Sequence, residues 1–183
     1  MGNEVEVKIK LSVEEFSRLE SFLVGLGVPC KVEEHCDVYF GRPDAFLSEK
    51  FPFEWLSIRQ RNEITSICYK HFFPEREEEH THCKEVEVQV ASAEAASLLL
   101  TSLGFTQAIV VKKARTSFTY KRTRVELDRV DELGLFVEIE ARERVNLAEA
   151  NSAVRETLND LGLSHADRDL RGYPYRMLEK GVA

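Results

Sequence analysis

The sequence predicts an α+β fold in which eight mostly antiparallel strands form a β-barrel and helices pack outside it. Residues 4–11 alternate strictly between charged and aliphatic side chains, which is the period of a β-strand with two different faces. Residues 85–90 and 136–140 repeat this pattern, each with a Glu-x-Glu pair on one face. Each of these strands is followed by a helical segment that ends at Leu-Gly, so the chain contains three strand–helix units. If the helices cover the aliphatic faces, the charged faces must look into a shared interior.

The first helix is predicted over residues 12–26. Ser12 with Glu15 three residues later matches a capping box, in which side chain and backbone at the helix start bind each other. Gly27 ends the helix, because glycine readily adopts the left-handed conformation that closes the last turn.

The middle of the chain is predicted to be rich in strands. Residues 31–40 form a strand, and residues 55–61 and 64–72 form a hairpin. The charged stretch 74–82 has no apolar periodicity, so we predict a solvent-exposed loop. The second Glu-x-Glu strand follows, with its helix over residues 92–103.

The last part of the chain adds two strands and two helices. Residues 108–120 and 122–128 are strand-like and precede the third Glu-x-Glu strand. Asn146 is predicted to begin the third helix as an N-cap. Residues 172–179 are predicted as a short terminal helix, with Pro174 in its first turn, where proline is tolerated.

Length and charge limit the classes of function. The 183 residues are expected to form one domain, 1–183, large enough for a sizeable core. A net charge of −7 argues against a general nucleic-acid binder. The sequence contains no apolar run long enough to cross a bilayer and begins directly with a strand, so we expect a cytoplasmic protein without a membrane partner.

The four cysteines lie at wide, irregular spacings, and we predict reduced thiols. His80, His82 and Cys83 could suggest a zinc site. Three ligands within four residues of a polar loop give poor tetrahedral geometry, so we interpret this stretch as a solvated loop.

The charged faces of the strands suggest the chemistry of the interior. Lysine and arginine neutralise phosphate oxygens, whereas carboxylates repel phosphate unless Mg²⁺ or Mn²⁺ lies between them. Acids and bases on one interior therefore indicate a polyphosphate held together with a divalent metal. The candidate acids are Glu4, Glu6, Glu85, Glu87, Glu126, Asp128, Glu138 and Glu140, and the candidate bases are Lys8, Lys10, Arg59, Arg61, Lys70, Lys113, Arg115, Arg122 and Arg124.

Each alternating strand alone is most often a solvated sheet face, and cross-strand salt bridges also produce mixed charges. Three repeats of the acid pair together with three basic strands favour the functional interpretation. For Asp37 and Tyr39 we favour structural roles, a hydrogen bond near the end of the strand and a core contact.

The charged strands also resemble those of the CYTH family, the triphosphate tunnel metalloenzymes. Residues 4–8 resemble the family's N-terminal ExExK signature, which alone is a weak string. Six further strings occur in the family's order along nearly the whole chain, and seven together are specific. They are residues 37–40 (D-x-Y-F), 56–59 (L-R-I-R), 68–70 (T-Y-K), 84–87 (R-x-E-x-E), 111–115 (V-x-K-x-R) and 127–140 (L-D-x-V-x-x-L-G-x-F-x-E-I-E).

The resemblance implies an eight-stranded antiparallel tunnel, dependence on Mg²⁺ or Mn²⁺, and a small-molecule substrate with a triphosphate tail. It implies triphosphate binding by Lys8, Arg59, Lys70, Lys113 and Arg115, to which we add Arg61 and Arg124 from the same faces. It implies metal binding by Glu4, Glu6, Asp128, Glu138 and Glu140. We predict Glu85, Glu87 and Glu126 as ligands of a second metal or as structural acids.

Within the family, the strings are most similar to class IV adenylyl cyclases, which convert ATP to cyclic AMP and pyrophosphate. Ser57 stands where the first arginine of L-R-I-R is expected, and no His-Phe pair precedes Glu4. A triphosphatase acting on thiamine triphosphate or inorganic triphosphate is therefore the alternative, and a non-catalytic polyphosphate or nucleotide binder is a second one. The resemblance favours a homodimer.

Overall fold

The structure is a computed structural model that describes residues 3–41, 53–75, 80–142, 146–169 and 171–181. Thirteen elements occur in these ranges, and the nine strands belong to one sheet. The strands are β1 (Asn3–Glu4), β2 (Glu6–Leu11), β3 (Cys30–Gly41), β4 (Glu54–Arg61), β5 (Ile64–Phe73), β6 (His82–Val90), β7 (Thr106–Tyr120), β8 (Thr123–Val130) and β9 (Gly134–Ala141). The helices are α1 (Val13–Gly25), α2 (Ala93–Ser102), α3 (Leu147–Asp160) and α4 (Gly172–Lys180).

The sheet curls back on itself through the first segment of the chain. The strand order is β1-β6-β5-β4-β3-β7-β8-β9-β2, and all neighbouring strands are antiparallel. β1 and β2 are separated by Val5 alone, and they pair with β6 and β9 at the two ends of this order. Counted as one interrupted strand, they bring the total to eight, which confirms the predicted α+β fold.

Three helices cover part of the aliphatic outer face of the curled sheet, while Val86 and Val88 on β6 stay exposed. Phe16 and Leu19 of α1 and Val154 of α3 pack in one buried cluster with outward residues of β2, β8 and β9. Ala96 and Leu100 of α2 pack against β3 and β4 in a separate cluster. Because these faces take the aliphatic residues, the charged face of each strand is left for the interior.

The fourth helix, α4, lies across one end of the curled sheet. There the inward residues are apolar, and Tyr173 and Met177 of α4 form a buried cluster with them, including Tyr39, Trp55 and Phe136. The inner wall is therefore charged along most of its length and closed by aromatic packing at the α4 end.

The predicted helix ends agree with the structure. Ser12 and Glu15 form both halves of the capping box, and Asn146 accepts a hydrogen bond from the backbone N–H of Ala148 as the N-cap of α3. Gly27, which follows α1, has a φ of +63°, the left-handed region expected there. The prediction of a loop through residue 82 is wrong at its end, since β6 already begins at His82. Residues 76–79 of that stretch lie outside the described residues.

The cysteines and the helices complete the description of the fold. Cys30, Cys36, Cys68 and Cys83 are free thiols. Within the described ranges, every helix is too short or too polar to cross a membrane.

Candidate active site

The curled sheet encloses a cavity of about 880 Å³. Among the described residues, ten cationic and nine carboxylate side chains line it. The lining includes all seven predicted triphosphate-binding residues, namely Lys8, Arg59, Arg61, Lys70, Lys113, Arg115 and Arg124. It also includes six of the predicted acids, namely Glu6, Glu85, Glu87, Glu126, Glu138 and Glu140. The side chain of Glu4 lies outside what the structure describes.

Arg115 on β7 is the centre of a buried ion-pair network. Its Nε donates to Asp128 Oδ1 at 2.6 Å, and its Nη2 reaches Glu138 Oε2 at 2.5 Å. Its Nη1 donates to Glu126. The paired acids come from β8 and β9, which follow β7 in the sheet, so antiparallel register places all four groups on one inner wall.

Asp128 lies behind this wall and is wholly buried. Besides Arg115, it accepts hydrogen bonds from Lys113 Nζ at 2.9 Å and from the Tyr173 hydroxyl at 2.8 Å. Both carboxylate oxygens are therefore engaged in this structure. Asp128 thus orients two of the predicted triphosphate-binding cations and ties the wall to α4.

A second ion-pair cluster lies on the β4–β6 wall. Lys70 Nζ is 3.1 Å from Glu85, and Arg59 Nη1 is 3.5 Å from the same carboxylate. Glu87 accepts a hydrogen bond from Ser66 at 2.5 Å. Ligand atoms of Cys68, Glu85 and Glu87 lie within 4.8 Å of one another, the one such group of three among the described residues.

The predicted metal acids on β2, β8 and β9 are interleaved with cations. Lys8 Nζ lies 3.0 Å from Glu138, and Glu140 is 3.5 Å from Arg124, whose side chain is half exposed at 50%. Glu6 lies 4.0 Å from Lys70. In this state each of these carboxylates is neutralised by a side chain of the protein.

The network shifts the pKa values of its members. Burial raises the pKa of Glu138, but Arg115, Lys113 and Lys8 outweigh it and hold this pKa well below its usual range. Burial lowers the pKa of Lys8, but Glu138 and Glu6 outweigh it and leave this pKa raised. For Lys113, burial and the neighbouring Arg115 prevail, and its pKa is lowered. A desolvated lysine beside a permanent cation is a strong candidate for anion binding.

Ser57 stands where the family pattern has an arginine, and the structure shows another arginine on the same face of β4. Ser57 is buried and lines the cavity where the family pattern has its first arginine. Arg61 lies four residues further along β4 on the same face and also lines the cavity. Arg61 therefore offers a guanidinium to the same wall.

Comparison with known proteins agrees with this geometry. A family model described as the CYTH domain matches residues 2–173. The chain belongs to the CYTH family.

Individual CYTH relatives support the assignment. A Methanocaldococcus jannaschii protein named "Putative adenylate cyclase" is 27% identical over 139 residues, which cover 74% of this chain and 76% of that protein. A solved structure from Pyrococcus horikoshii OT3 superposes with a TM-score of 0.76 at 29% identity and covers 93% of this chain and 96% of its own.

A more distant solved structure shares the fold alone. It is from Hippeastrum, with 16% identity, a TM-score of 0.66, and coverage of 99% of this chain and 96% of that chain. That protein is described as a putative adenylyl cyclase with a dominant triphosphatase activity.

Among the polar residues of this CYTH cavity that sequence reasoning missed, two bear directly on its chemistry. His35 on β3 is buried and lines the cavity, and Tyr173 on α4 binds Asp128 and lies under Lys8 Nζ, 4.2 Å from the ring centroid. Asp37, expected to have a structural role, also lines the cavity, and its Oδ1 has no hydrogen-bond partner in the described part of the chain. His35 shares the strand parity of Asp37 and Tyr39, so its inward direction was readable from the sequence.

The donor set of the cavity fits a hard divalent cation. Carboxylate oxygens are the protein ligands that Mg²⁺ and Mn²⁺ prefer, and six predicted acids line the cavity. The Cys68 thiol beside Glu85 and Glu87 is a softer donor, and burial raises its pKa to about 12, which keeps it protonated. The hard carboxylates therefore offer the better fit.

Proposed function

We propose that this CYTH protein is a divalent-metal-dependent enzyme that acts on small molecules with a triphosphate tail. The observation that carries the proposal is the near balance of ten cationic and nine carboxylate side chains around the cavity. A nearly neutral wall attracts a bare polyanion weakly. A triphosphate accompanied by Mg²⁺ or Mn²⁺ presents phosphate oxygens to the cations and metal to the carboxylates, so it matches both sets.

The residues divide into two groups in this proposal. Lys8, Arg59, Arg61, Lys70, Lys113, Arg115 and Arg124 bind phosphate oxygens. Glu6, Glu138 and Glu140 hold the metal, together with Glu4 from the ExExK signature and Asp128. Asp128 also orients Lys113 and Arg115. A divalent cation there supplies Lewis-acid polarisation of the phosphate and neutralises developing charge. Glu85, Glu87 and Glu126 hold a second metal or keep the cations in place.

Binding of substrate would exchange partners within the wall. In this structure Lys8 and Arg115 are paired with Glu138, and Lys70 with Glu85. If phosphate oxygens took over the cations, these carboxylates would lose their counter-charge and would be free to hold a divalent metal. The protein thus keeps both sets of ligands charged and close together before substrate binds.

Adenylyl cyclase activity is the first candidate reaction. The cavity volume is near the upper end for small-molecule sites and leaves room for a nucleoside beyond the triphosphate tail. Trp55, Phe72 and Tyr175 line the cavity near α4, where a planar base can pack against aromatic rings. In this reaction the ribose 3′-oxygen bonds to the α-phosphorus, pyrophosphate leaves, and the hydroxyl proton is released.

Hydrolysis of a triphosphate is the second candidate. Ser57 lines the cavity at the position where the family pattern has an arginine. The triphosphate tail is therefore expected to be bound differently from the way a class IV cyclase binds it. Water then attacks a phosphorus atom in place of the ribose hydroxyl, and orthophosphate is released. Thiamine triphosphate and inorganic triphosphate are the substrates to test.

Product analysis decides between these reactions. The purified protein is incubated with ATP, thiamine triphosphate or inorganic triphosphate, each with Mg²⁺ and with Mn²⁺. We expect cyclic AMP and pyrophosphate from ATP. Orthophosphate from any of the three, without cyclic AMP, would identify a triphosphatase instead.

Glu138→Gln tests the assignment of the site itself. The amide keeps the size of the side chain but cannot supply a carboxylate to a metal, so we expect turnover to fall roughly a hundredfold or more. Glu156→Gln is the matched control, because Glu156 lies on α3 and is exposed beside Lys121. Unchanged turnover in Glu138→Gln, or turnover by no substrate of the panel, would contradict the proposal.

A further inference from the structure

His35 is an unusual buried histidine. Its side chain lines the cavity, and only 5% of the residue is exposed. Neither ring nitrogen has a hydrogen-bond partner among the residues that the structure describes. Buried polar groups in folded proteins are almost always paired, so an unpaired imidazole that faces a cavity indicates a partner that comes from outside the chain.

The neighbours of His35 show what kind of partner is missing. On β4 the residue directly opposite is Arg61, and on β7 it is Lys113. Arg115 lies two residues beyond Lys113 on the same inner face. Two cations directly beside the ring have N–H groups to donate and no lone pair to accept a hydrogen bond. Asp37 Oδ1, on the same face of β3, does not accept from the ring either. The N–H of the imidazole therefore needs an acceptor from a ligand.

The ring is neutral in this setting. Burial first, then Lys113, Arg115 and Arg61, lowers the pKa of His35 to about 3, and Asp128 on β8 only partly opposes them. The other charged groups on the inner face of β3 are Glu33, which pairs with Lys31, and Asp37. A neutral imidazole carries one N–H donor and one acceptor nitrogen, so it can bind an anion without adding charge to the wall.

Unpaired polar atoms are concentrated on the same wall. The Nε atoms of Arg59 and Arg61 on β4 and Oδ1 of Asp37 on β3 also have no partner in the described ranges. The β3–β4 register places His35 opposite Arg61 and Asp37 opposite Arg59. Three unpaired donors on two adjacent strands match an anion with several oxygens.

We propose that His35 is a substrate-binding residue whose imidazole N–H donates a hydrogen bond to a non-bridging oxygen of the polyphosphate, beside Arg61. This inference rests on the proposed function, since it needs a polyphosphate in the cavity. It assigns a side chain that neither the charge pattern nor the family strings point to. In the free protein the nitrogens of the ring are unpaired within the described part of the chain, and they gain a partner when the ligand binds.

Two substitutions separate binding from structure. His35→Phe keeps a ring of similar size but has no polar atoms, and His35→Gln keeps a donor. Inorganic tripolyphosphate is the probe, and isothermal titration calorimetry measures its affinity with Mg²⁺ and without metal. We expect His35→Phe to weaken binding roughly tenfold or more and His35→Gln to weaken it much less.

The free energy of unfolding distinguishes a substrate-binding histidine from one that stabilises the fold. Because His35 has no hydrogen bond to lose, we expect His35→Phe to unfold in urea at the same concentration as the wild type or higher. A histidine that stabilises the fold by hydrogen bonding would show the opposite result. His165→Phe is the matched control, since His165 is exposed and does not line the cavity, and it should leave affinity unchanged.

The outcomes are distinguishable. Tripolyphosphate that binds wild type and His35→Phe equally well would overturn this inference and leave the proposed function standing. A wild type that does not bind tripolyphosphate would overturn the proposed function and this inference with it. If His35→Phe does not fold, the ¹⁵N shifts of the wild-type His35 ring decide, and shifts unchanged by tripolyphosphate would overturn the inference.

Discussion

At the scale of single residues, Arg115 keeps the inner acids charged and in place. It binds Asp128 through two nitrogens and also contacts Glu126 and Glu138. Removing a buried cation of this kind leaves carboxylates without counter-charge, which typically costs about 3–5 kcal/mol. Such a residue has a structural role as well as a binding role, so its loss does not report on function alone.

His35 makes the free energy of unfolding depend on pH, beginning at pH values above those at which carboxylates titrate. Burial and the neighbouring cations lower its folded-state pKa from 6.5 to about 3, so the unfolded chain binds a proton more readily than the folded one. The free energy of unfolding therefore rises with pH, and this contribution is lost as pH falls from about 6.5 toward 3.

Urea unfolding at about pH 7.5 and about pH 5 measures this effect. Over that range the histidine is expected to lower the free energy of unfolding of the wild type by at most about 2 kcal/mol. His35→Gln cannot titrate and should lose correspondingly less stability, whereas His165→Gln, at an exposed site, should follow the wild type. Equal losses in His35→Gln and the wild type would show that His35 is not held neutral.

The sequence predicts which residues point inward better than it predicts what they touch. A period of two fixes the face of a strand, so the cavity positions of Lys8, Arg59 and Glu138 followed from alternation. Pairings such as Arg115 with Glu126 depend on the order of strands in the sheet and on register. The missing partner of His35 depends on three neighbouring strands together, and no local pattern encodes it.

At the scale of secondary-structure elements, local sequence rules predict the helix α4 but not its position in the fold. Its existence and its early proline were predicted, and the structure has the helix over Gly172–Lys180. Its position across the end of the curled sheet arises because the inward residues there, such as Trp55 and Phe136, are apolar and must be covered. That requirement appears only once β4 and β9 are placed in one sheet.

Substitutions of Tyr173 test how α4 is held against the sheet. Its hydroxyl donates to Asp128, and its ring packs against Phe136 with centroids 5.0 Å apart. Tyr173→Phe removes only the hydrogen bond and should lower the free energy of unfolding by about 1–2 kcal/mol, because Lys113 and Arg115 still bind Asp128.

Tyr173→Ala removes the ring as well and should cost about 3–5 kcal/mol, as other deletions of buried aromatic rings do. Urea unfolding compares the two variants. Leu98→Ala serves as the control on another helix, because Leu98 on α2 is 69% exposed and its loss should cost little. If Tyr173→Ala cost no more than Tyr173→Phe, aromatic packing would not hold α4 in place.

At the scale of the whole molecule, the curled sheet depends on contacts between distant parts of the chain. The first segment pairs with β6 through Asn3–Glu4 and with β9 through Glu6–Leu11. The strand–helix repeats predicted an inward and an outward face, and the structure confirms both. The change of partner at Val5 was not predicted, because alternation continues without interruption through residues 4–11.

The same architecture predicts that metal supports activity but not folding. Without metal, the inner acids are already paired: Glu138 with Lys8, Glu85 with Lys70, and Glu140 with Arg124. The fold therefore needs no cation to neutralise these acids. Treatment with EDTA should abolish turnover of the triphosphate substrate while the midpoint of thermal unfolding stays within about 2 °C of that of untreated protein.

Adding Mg²⁺ or Mn²⁺ back should restore turnover, and a titration of each metal gives the concentration that the enzyme needs. The midpoint should rise clearly only when tripolyphosphate and metal are present together, because only the pair replaces the internal ion pairs with stronger contacts. A large fall of the midpoint in EDTA would instead identify a structural metal and contradict the self-neutralised wall. Full turnover in EDTA would contradict metal dependence, because the phosphate would then be bound and activated by the lysines and arginines alone.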